Sequence, residues 1–378
     1  MTNEPNNNPR HRPDTQPTAE GSYASTHPEM EQEILIRKKR RRKKRLKHPA
    51  LLGVACAVVA VIGITAAALA VNISIGAKNL QADENVQIEA PQEALKKDGG
   101  QTVTYNGHTY QLNKNVVSIM FVGFDRTSFA AEGELAGQAD AIVVAAFDTA
   151  TGKMTAISIP RDAMVPVDTY TAEGAFVSQQ TMQVCLAYHY GDGAHTSCQH
   201  TAAAVSRMLY SMPINYYFAL DETGVGPMAD AIDGVPLTAL QNIPGTEIYE
   251  GEEVLLFGDS AFKYVQYRDT SVLNSSLDRQ ARQAQFIQSF AKKSLGLAQG
   301  SVNKLIDLYT TASAYSVTNL ELSEYTFLVS SVISNGITDV SMKSLPGTLA
   351  QGDTYAEYTL DKTGVYETVL NTYYTQVD

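Results

Sequence analysis

The sequence is poor in cysteine and lacks the short motifs that identify several common enzyme classes. Only three cysteines occur in 378 residues. There is no Gly-rich phosphate loop, no Gly-x-Ser-x-Gly nucleophile elbow and no His-Glu-x-x-His zinc motif. The chain therefore shows none of the signatures of P-loop NTPases, of α/β-hydrolases or of the zinc proteases that carry that motif.

Positive charge is also scarce, except in one run near the N-terminus. Arg37–Lys47 contains ten of the 29 basic residues. The net charge is −11, and the chain without this run is ten units more negative. The body of the protein is therefore acidic, and we expect no nucleic-acid partner.

An apolar segment follows the basic run directly. Residues 50–75 contain no charged side chain and consist mostly of Ala, Val, Leu and Ile. About 20 such residues span a bilayer as a helix, whereas a signal peptide has a shorter apolar region nearer the N-terminus. The sequence predicts a single-pass protein of the cell membrane with a transmembrane helix at 50–75. The basic flank places the N-terminus in the cytoplasm and the C-terminal domain outside the cell.

Four parts are predicted along the chain. Residues 1–49 form a disordered basic cytoplasmic tail, 50–75 the transmembrane helix, 76–112 a juxtamembrane segment and 113–378 an extracellular domain. In the juxtamembrane segment we predict a helix around Glu89–Lys97. We also predict a hairpin over Thr102–Leu112, where alternating β-formers flank an Asn-Gly turn.

Strand and helix patterns alternate in the outer domain. Apolar runs typical of buried strands occupy Val116–Val122, Ala141–Phe147 and Asn215–Leu220. Helical patterns occupy Thr201–Leu209, Thr223–Ile232, Gly258–Tyr267 and Asp278–Leu297. This alternation predicts a three-layer α/β/α sandwich with a mixed central sheet.

Two carboxylates lie next to predicted strands. Asp125 follows the first strand and Asp140 precedes the second, so we expect both at one edge of the sheet. Such a pair suits Mg²⁺ or Mn²⁺, hard cations that prefer oxygen ligands and often share them with phosphates. The alternative is that each is a turn aspartate bonded to its own backbone.

Arginines occur at the ends of further elements. Arg161 follows a strand and a proline, and Arg268 follows a helix. Arg279 and Arg282 are three residues apart on another helix and share a face. A guanidinium group matches phosphate oxygens in a bidentate manner, so these arginines predict a phosphate ester bound with a divalent cation. A solvated helix face is the alternative for the last pair.

Several segments resemble the LytR-CpsA-Psr family of cell-wall phosphotransferases, over roughly residues 113–300. Ser158–Asp162 reads Ser-Ile-Pro-Arg-Asp, as the family pattern does. Gly137–Ile142 is similar to its Gly-Arg-Ser-Asp-Thr-Ile element, and Leu256–Arg268 to its Leu-x-Gly-x-x-Ala-x-x-Tyr-Val-Arg-x-Arg element. Arg279 to Gln283 resembles the closing helix. The order and spacing of these elements carry the resemblance.

The resemblance implies Mg²⁺- or Mn²⁺-dependent transfer of a phosphate-linked glycopolymer from a polyprenyl pyrophosphate carrier to a hydroxyl of peptidoglycan. The implied partners are the lipid-linked glycan donor, the peptidoglycan acceptor and the membrane. The implied metal ligands are Asp125 and Asp140. Catalysis is assigned to Arg161, Asp140 and Arg268. The implied pyrophosphate ligands are Arg126, Arg161, Arg268, Arg279, Arg282 and Gln283.

Four positions depart from the family pattern. Gln138 and Gln266 stand where the family has arginine, Gln183 where it often has lysine, and Ser276 where it has aspartate. The three glutamines remove positive charge from a site for pyrophosphate. The four departures together favour an alternative function, a non-catalytic envelope protein that binds polyprenyl-phosphate lipid or glycan in a regulatory or scaffolding role. A third hypothesis is a transcriptional attenuator that contacts nucleic acid through Arg37–Lys47.

The two cysteines of the outer domain lie among three histidines. Cys185, His189, His195, Cys198 and His200 fall within sixteen residues. A zinc site, a Cys185–Cys198 disulfide and two plain thiols all agree with this cluster. Cys56 lies in the apolar segment, where it serves as a small apolar residue.

Overall fold

We analysed a computed structural model that describes residues 69–80, 87–124, 137–298, 302–336 and 340–378. All of them belong to one unit, Thr65–Asp378. Most of the predicted transmembrane segment, and both Asp125 and Arg126, lie outside the described residues. None of the helices in these ranges combines the length and the apolar composition needed to cross a bilayer.

The described chain forms a mixed α/β fold. Its helices are α1 (69–79), α2 (His195–Met208), α3 (Val225–Ala231), α4 (Gly258–Gln266), α5 (Ser275–Ala298), α6 (Val302–Ser313), α7 (Leu322–Asn335) and α8 (Lys362–Tyr373). Short 3₁₀ helices cover Asp98–Gly100, Val184–Tyr190 and Glu222–Gly224. The strands are β1 (Leu95–Lys97), β2 (Thr102–Tyr105), β3 (His108–Leu112), β4 (Val116–Phe124), β5 (Ala139–Asp148), β6 (Met154–Ile159), β7 (Met164–Tyr170), β8 (Phe176–Gln183), β9 (Tyr216–Asp221), β10 (Val235–Thr238), β11 (Glu253–Leu256), β12 (Ser316–Thr318), β13 (Val340–Ser344), β14 (Gly347–Gln351), β15 (Ala356–Leu360) and β16 (Tyr374–Gln376).

The central sheet has six strands in the order β12-β9-β4-β5-β6-β13. It is mixed, as the sequence predicts, because β4 pairs with β9 in parallel and with β5 antiparallel. β6 pairs antiparallel with β5 and parallel with β13. The last residue of β4, Phe124, is the partner of Ala139. β4 therefore ends at the sheet edge where Asp140 lies, and Phe124, the last described residue before the gap, is close to that carboxylate in strand register.

Alternate residues of the central strands enter different apolar clusters, because successive side chains point to opposite faces of a sheet. Met120 and Val122 pack in one cluster with side chains of α2 and α8. Val117 and Ile119 pack in another with side chains of α7. Both faces are therefore buried, which explains the nearly continuous apolar run of β4.

The juxtamembrane predictions had mixed outcomes. The hairpin is confirmed, since β2 and β3 pair antiparallel around Asn106-Gly107. The helix around Glu89–Lys97 is wrong, because Leu95–Lys97 forms β1 and pairs with β2. The connection from β1 to β2 passes through Gly99 and Gly100 at φ of 67° and 94°. Glycine adopts this left-handed region without steric cost, so the chain can reverse there instead of continuing as a helix.

Candidate active site

Arg161 is held in place on several sides. β6 ends at Ile159, Pro160 follows, and Arg161 emerges beyond the sheet edge. Its Nη1 contacts the carboxylate of Asp140, and its Nη2 donates to the amide oxygen of Gln138. Nη2 also lies 3.4 Å from Cys185 Sγ, and Nε lies 3.6 Å from Asp162 Oδ1. The guanidinium group therefore has a fixed position before any ligand binds.

Asp140 lies between two arginines. Its Oδ1, the oxygen that Arg161 contacts, is 3.3 Å from Nη2 of Arg279. The Asp140 side chain remains 33% exposed, whereas the Arg279 side chain is 10% exposed. The first turns of α5 thus bring Arg279 against the start of β5, and the two guanidinium groups share one carboxylate.

Arg268 completes a cluster of three arginines. Burial, then the positive charges of Arg161 and Arg268, lower the pKa of Arg279 to about 10. Arg279 stays protonated at neutral pH, so it and the other two guanidinium groups repel one another there. Arg268 is exposed, and its Nε donates to Ser275 Oγ at 3.1 Å. Two cations on the carboxylate of Asp140, with Arg268 near Arg279, leave positive charge that suits an anion.

Arg282 lies on the same helix but binds differently. Its side chain is buried, and its Nε donates to the carbonyl oxygen of Tyr264 at 3.0 Å. Its two terminal nitrogens donate to the carbonyl oxygen of Tyr267 and to Gln241 Oε1. Arg282 therefore holds the carbonyl end of α4, directly before Arg268. Its predicted role as a pyrophosphate ligand stays a prediction.

A small cleft opens beside this cluster. It lies between β5, β6 and α5 and is open to solvent, with about 280 Å³ of empty space that includes the solvent at its mouth. Asp140 and Arg161 line it, together with Ser276 and Gln283 of α5. Gln283 Nε2 also donates to the carbonyl oxygen of Val265 at 3.3 Å. Of the predicted site residues that the structure describes, Arg161, Asp140, Arg279 and Gln283 therefore meet at one place.

The described part of the chain offers few side-chain ligands grouped for a metal ion. It contains no group of three His, Cys, Asp or Glu side chains placed to hold a metal ion. Asp140 has the carboxylate oxygens that Mg²⁺ prefers, and the remaining ligands of a Mg²⁺ ion are often water and substrate phosphates. Its predicted partner Asp125 lies outside the described residues, so the Mg²⁺ or Mn²⁺ site stays a prediction.

The cysteine and histidine cluster divides between different elements. Cys185 and Cys198 are buried free thiols, so the plain-thiol alternative agrees with the structure and the disulfide does not. Cys185 contacts Arg161, whereas His195 Nδ1 lies 2.6 Å from the hydroxyl of Tyr217. His200 stacks on Tyr170 with 4.0 Å between ring centroids.

Some contacts of the site were not expected from the sequence. The sequence marks Gln138 only as a departure from a family pattern and Cys185 only as a candidate for zinc, a disulfide or a plain thiol, yet both contact Arg161. Asp162 is buried and accepts from Gln183 Nε2 at 3.1 Å. The signal available in the sequence was the position of Asp162 next to Arg161, since a buried carboxylate beside an arginine requires partners.

Comparison with known proteins gives a consistent result. The model of the LytR_cpsA_psr family matches residues 75–372. A polyisoprenyl-teichoic acid–peptidoglycan teichoic acid transferase TagU from Bacillus mycoides is 26% identical over 266 residues, which cover 70% of this chain and 78% of that protein. A TagU transferase from Bacillus cereus is 26% identical over 205 residues, 54% of this chain and 60% of its own.

Solved structures share the fold. B. subtilis TagV superposes with a TM-score of 0.55 at 20% sequence identity, covering 68% of this chain and 96% of its own. TagT bound to LI-WTA superposes with a TM-score of 0.52 at 19% identity, covering 68% of this chain and 90% of its own.

Proposed function

The chain belongs to the LytR_cpsA_psr family, and from that membership we propose that it transfers a phosphate-linked glycopolymer from a polyprenyl pyrophosphate carrier to peptidoglycan. The contacts of Arg161 and Arg279 with Asp140, together with the positive charge of Arg268 near Arg279, carry this proposal. A pyrophosphate carries negative charge that three guanidinium groups can bind. Because Arg268 is exposed, a pyrophosphate can reach this group of arginines from solvent.

The chemistry is a phosphoryl transfer. An acceptor hydroxyl oxygen forms a bond to the phosphorus that carries the glycan, and the bond from that phosphorus to the bridging oxygen breaks. The hydroxyl proton passes to solvent water, and polyprenyl monophosphate departs with the bond electrons. Arg161 and Arg279 hold the phosphoryl oxygens in position, while Arg268 neutralises charge that develops in the transition state. Positioning and charge stabilisation supply most of the catalysis in such reactions.

Mg²⁺ or Mn²⁺ held by Asp140 and Asp125 would neutralise phosphate charge in this site.

The remainder of the proposal concerns the surroundings of the domain. The domain is a three-layer α/β/α sandwich outside the cell, tethered by the helix at 50–75. A domain beside the bilayer meets a lipid-linked donor without extracting it from the membrane. In this proposal Arg126 is a further ligand of the pyrophosphate, and the same role for Arg282 is the alternative to its hold on α4.

The test is turnover of a polyprenyl pyrophosphate-linked glycan by the full-length chain in detergent, with peptidoglycan as acceptor. We expect release of polyprenyl monophosphate with Mg²⁺ and its loss in EDTA. Arg161→Ala should abolish release. Arg207→Ala is the matched control, since Arg207 pairs with Asp168 at 2.9 Å outside the cluster and should keep full activity. No release by the wild type, beside an active family member, would overturn the proposal.

A second candidate is a binding protein without turnover. The observation that favours it is Gln138, a neutral side chain that accepts from Arg161 and occupies its Nη2. Fewer charges at the site weaken stabilisation of the transition state more than they weaken binding of the lipid. Tight binding of the donor without release of polyprenyl monophosphate would favour this candidate.

A further inference from the structure

Ser276 has a buried hydroxyl group without a hydrogen-bond partner among the described residues. It lies in the first turn of α5 and is 3% exposed. Across the described ranges, its Oγ has no hydrogen-bond partner. Buried hydroxyl groups are normally paired, because an unpaired one forfeits its bonds to water. An orphan of this kind is expected where a ligand completes the bond.

The surroundings of Ser276 are paired and positively charged. Its neighbour Ser275 accepts from Arg268 at 3.1 Å, and Gln280, one turn along, donates to Ser158 Oγ at 2.8 Å. Ser276 lines the same cleft as Asp140 and Arg161. It also lies at the N-terminus of a 24-residue helix, where the macrodipole favours an anion. An acceptor with negative charge therefore suits this hydroxyl group.

We propose that Ser276 is a ligand of the donor, and that its hydroxyl group donates to a phosphoryl oxygen of the pyrophosphate bound in this cleft. The inference rests on the proposed function. It adds an uncharged hydroxyl donor to the arginines that bind the pyrophosphate. Ser276 supplies affinity for the donor and takes no proton in the reaction.

The same helix offers a matched control. Ser294 is also buried, at 7% exposure, and its Oγ also lacks a partner within the described chain. It is not among the residues that line the cleft. Replacing either serine by alanine removes an unsatisfied hydroxyl group, so neither change should lower the melting temperature of the full-length chain. Only Ser276→Ala should affect the donor.

The experiment compares Ser276→Ala and Ser294→Ala in the full-length chain. We expect Ser276→Ala to raise KM for the glycan donor about tenfold with a smaller change in kcat, as for loss of a hydrogen bond to a charged acceptor. Ser294→Ala should match the wild type. In titrations with geranylgeranyl pyrophosphate in EDTA, Ser276→Ala should bind about tenfold more weakly.

Each other outcome has a defined meaning. An unchanged KM and affinity in Ser276→Ala would overturn the inference, as would a melting temperature well below that of Ser294→Ala, because the hydroxyl group would then bond within the protein. If the wild type binds the pyrophosphate but never turns over, the transfer activity fails and the titration still decides the role of Ser276. No binding by the wild type would overturn both.

Discussion

Arg279 donates through Nη2 to Oδ1 of Asp140 at 3.3 Å. Because Arg161 contacts the same oxygen, the carboxylate offsets part of the charge of two guanidinium groups when no donor is bound. Like charges repel, so this carboxylate lets the arginines stay close together. A pyrophosphate that enters the site competes with Asp140 for these arginines.

Replacing Asp140 by asparagine should separate binding from turnover. Without the negative charge, the arginines are free for the pyrophosphate, so affinity measured in EDTA should rise by several-fold. Transfer activity with Mg²⁺ should fall about a hundredfold or more, as when a group that stabilises the transition state is lost. Titration with geranylgeranyl pyrophosphate and the release assay check the two effects.

Asp168→Asn is the control for this change, since Asp168 pairs with Arg207 away from the cluster. It should alter neither affinity nor turnover. If Asp140→Asn instead weakened binding in EDTA, the main role of Asp140 would be to hold Arg161 and Arg279 in place.

Mutation of Arg282 should lower the stability of the fold, whereas mutation of Arg268 should leave it nearly unchanged. Arg282 is 1% exposed, and its donors are taken by carbonyl and amide oxygens. Arg282→Ala leaves those buried acceptors unpaired and should lower the free energy of unfolding by about 3 kcal/mol. Arg268 is exposed, so Arg268→Ala should change it by about 0.5 kcal/mol or less.

Denaturant unfolding of the full-length chain in detergent checks the stabilities, and the release assay checks activity. Arg268→Ala should lose activity while it keeps its fold. A stable Arg282→Ala that loses donor binding would instead assign Arg282 to the pyrophosphate, as the family resemblance implies.

The behaviour of these two arginines shows how far the sequence could predict the site. The apolar runs of β4, β5 and β9 predict these strands, but the predicted ends differ from the observed ones by one or two residues. Asp140, expected before its strand, is the second residue of β5. The spacing of Arg279 and Arg282 predicts a shared helix face. It does not predict that one side chain contacts β5 and the other α4, because long side chains reach partners that only the tertiary arrangement supplies.

The same limit applies to Glu89–Lys97. Its composition agrees with a helix, but pairing of β1 with β2 decides the structure. Strand pairing joins segments through contacts that local propensity does not contain. Likewise, Cys185 and Cys198 could be named from the sequence, whereas their state as separate buried thiols depends on the packing of α2 and the preceding 3₁₀ helix.

The buried thiols should resist alkylation in the native protein. Burial raises the pKa of Cys185, and it raises the pKa of Cys198 to about 12. Because the thiolate is the reactive form, iodoacetamide at pH 8 should label both residues far more slowly than in denaturant. Peptide mass spectrometry locates the label. In the denatured chain, equal labelling with and without prior reduction is expected, and a Cys185–Cys198 disulfide would instead make labelling depend on reduction.

His200 should make stability depend on pH. Its ring stacks on Tyr170, and its Nδ1 lies 3.1 Å from the carbonyl oxygen of Tyr190. Burial lowers the pKa of His200, although the Tyr190 carbonyl and the charges of Asp168 and Asp192 oppose the shift. The unfolded chain, with a pKa near 6.5, then binds this proton more readily than the folded one as pH falls.

His200 should therefore lower the free energy of unfolding as pH falls below about 6.5. Above that pH the ring is neutral in the folded and the unfolded chain, so it adds no dependence on pH. The measurement is the free energy of unfolding of the wild type and of His200→Gln between pH 8 and 5. The difference, wild type minus variant, should decrease as pH falls, because only the wild type must keep this imidazole neutral to stay folded. A difference that stays constant would mean that the folded and unfolded chains protonate His200 equally, and one that increases would mean that Asp168 and Asp192 stabilise the charged ring more than burial disfavours it.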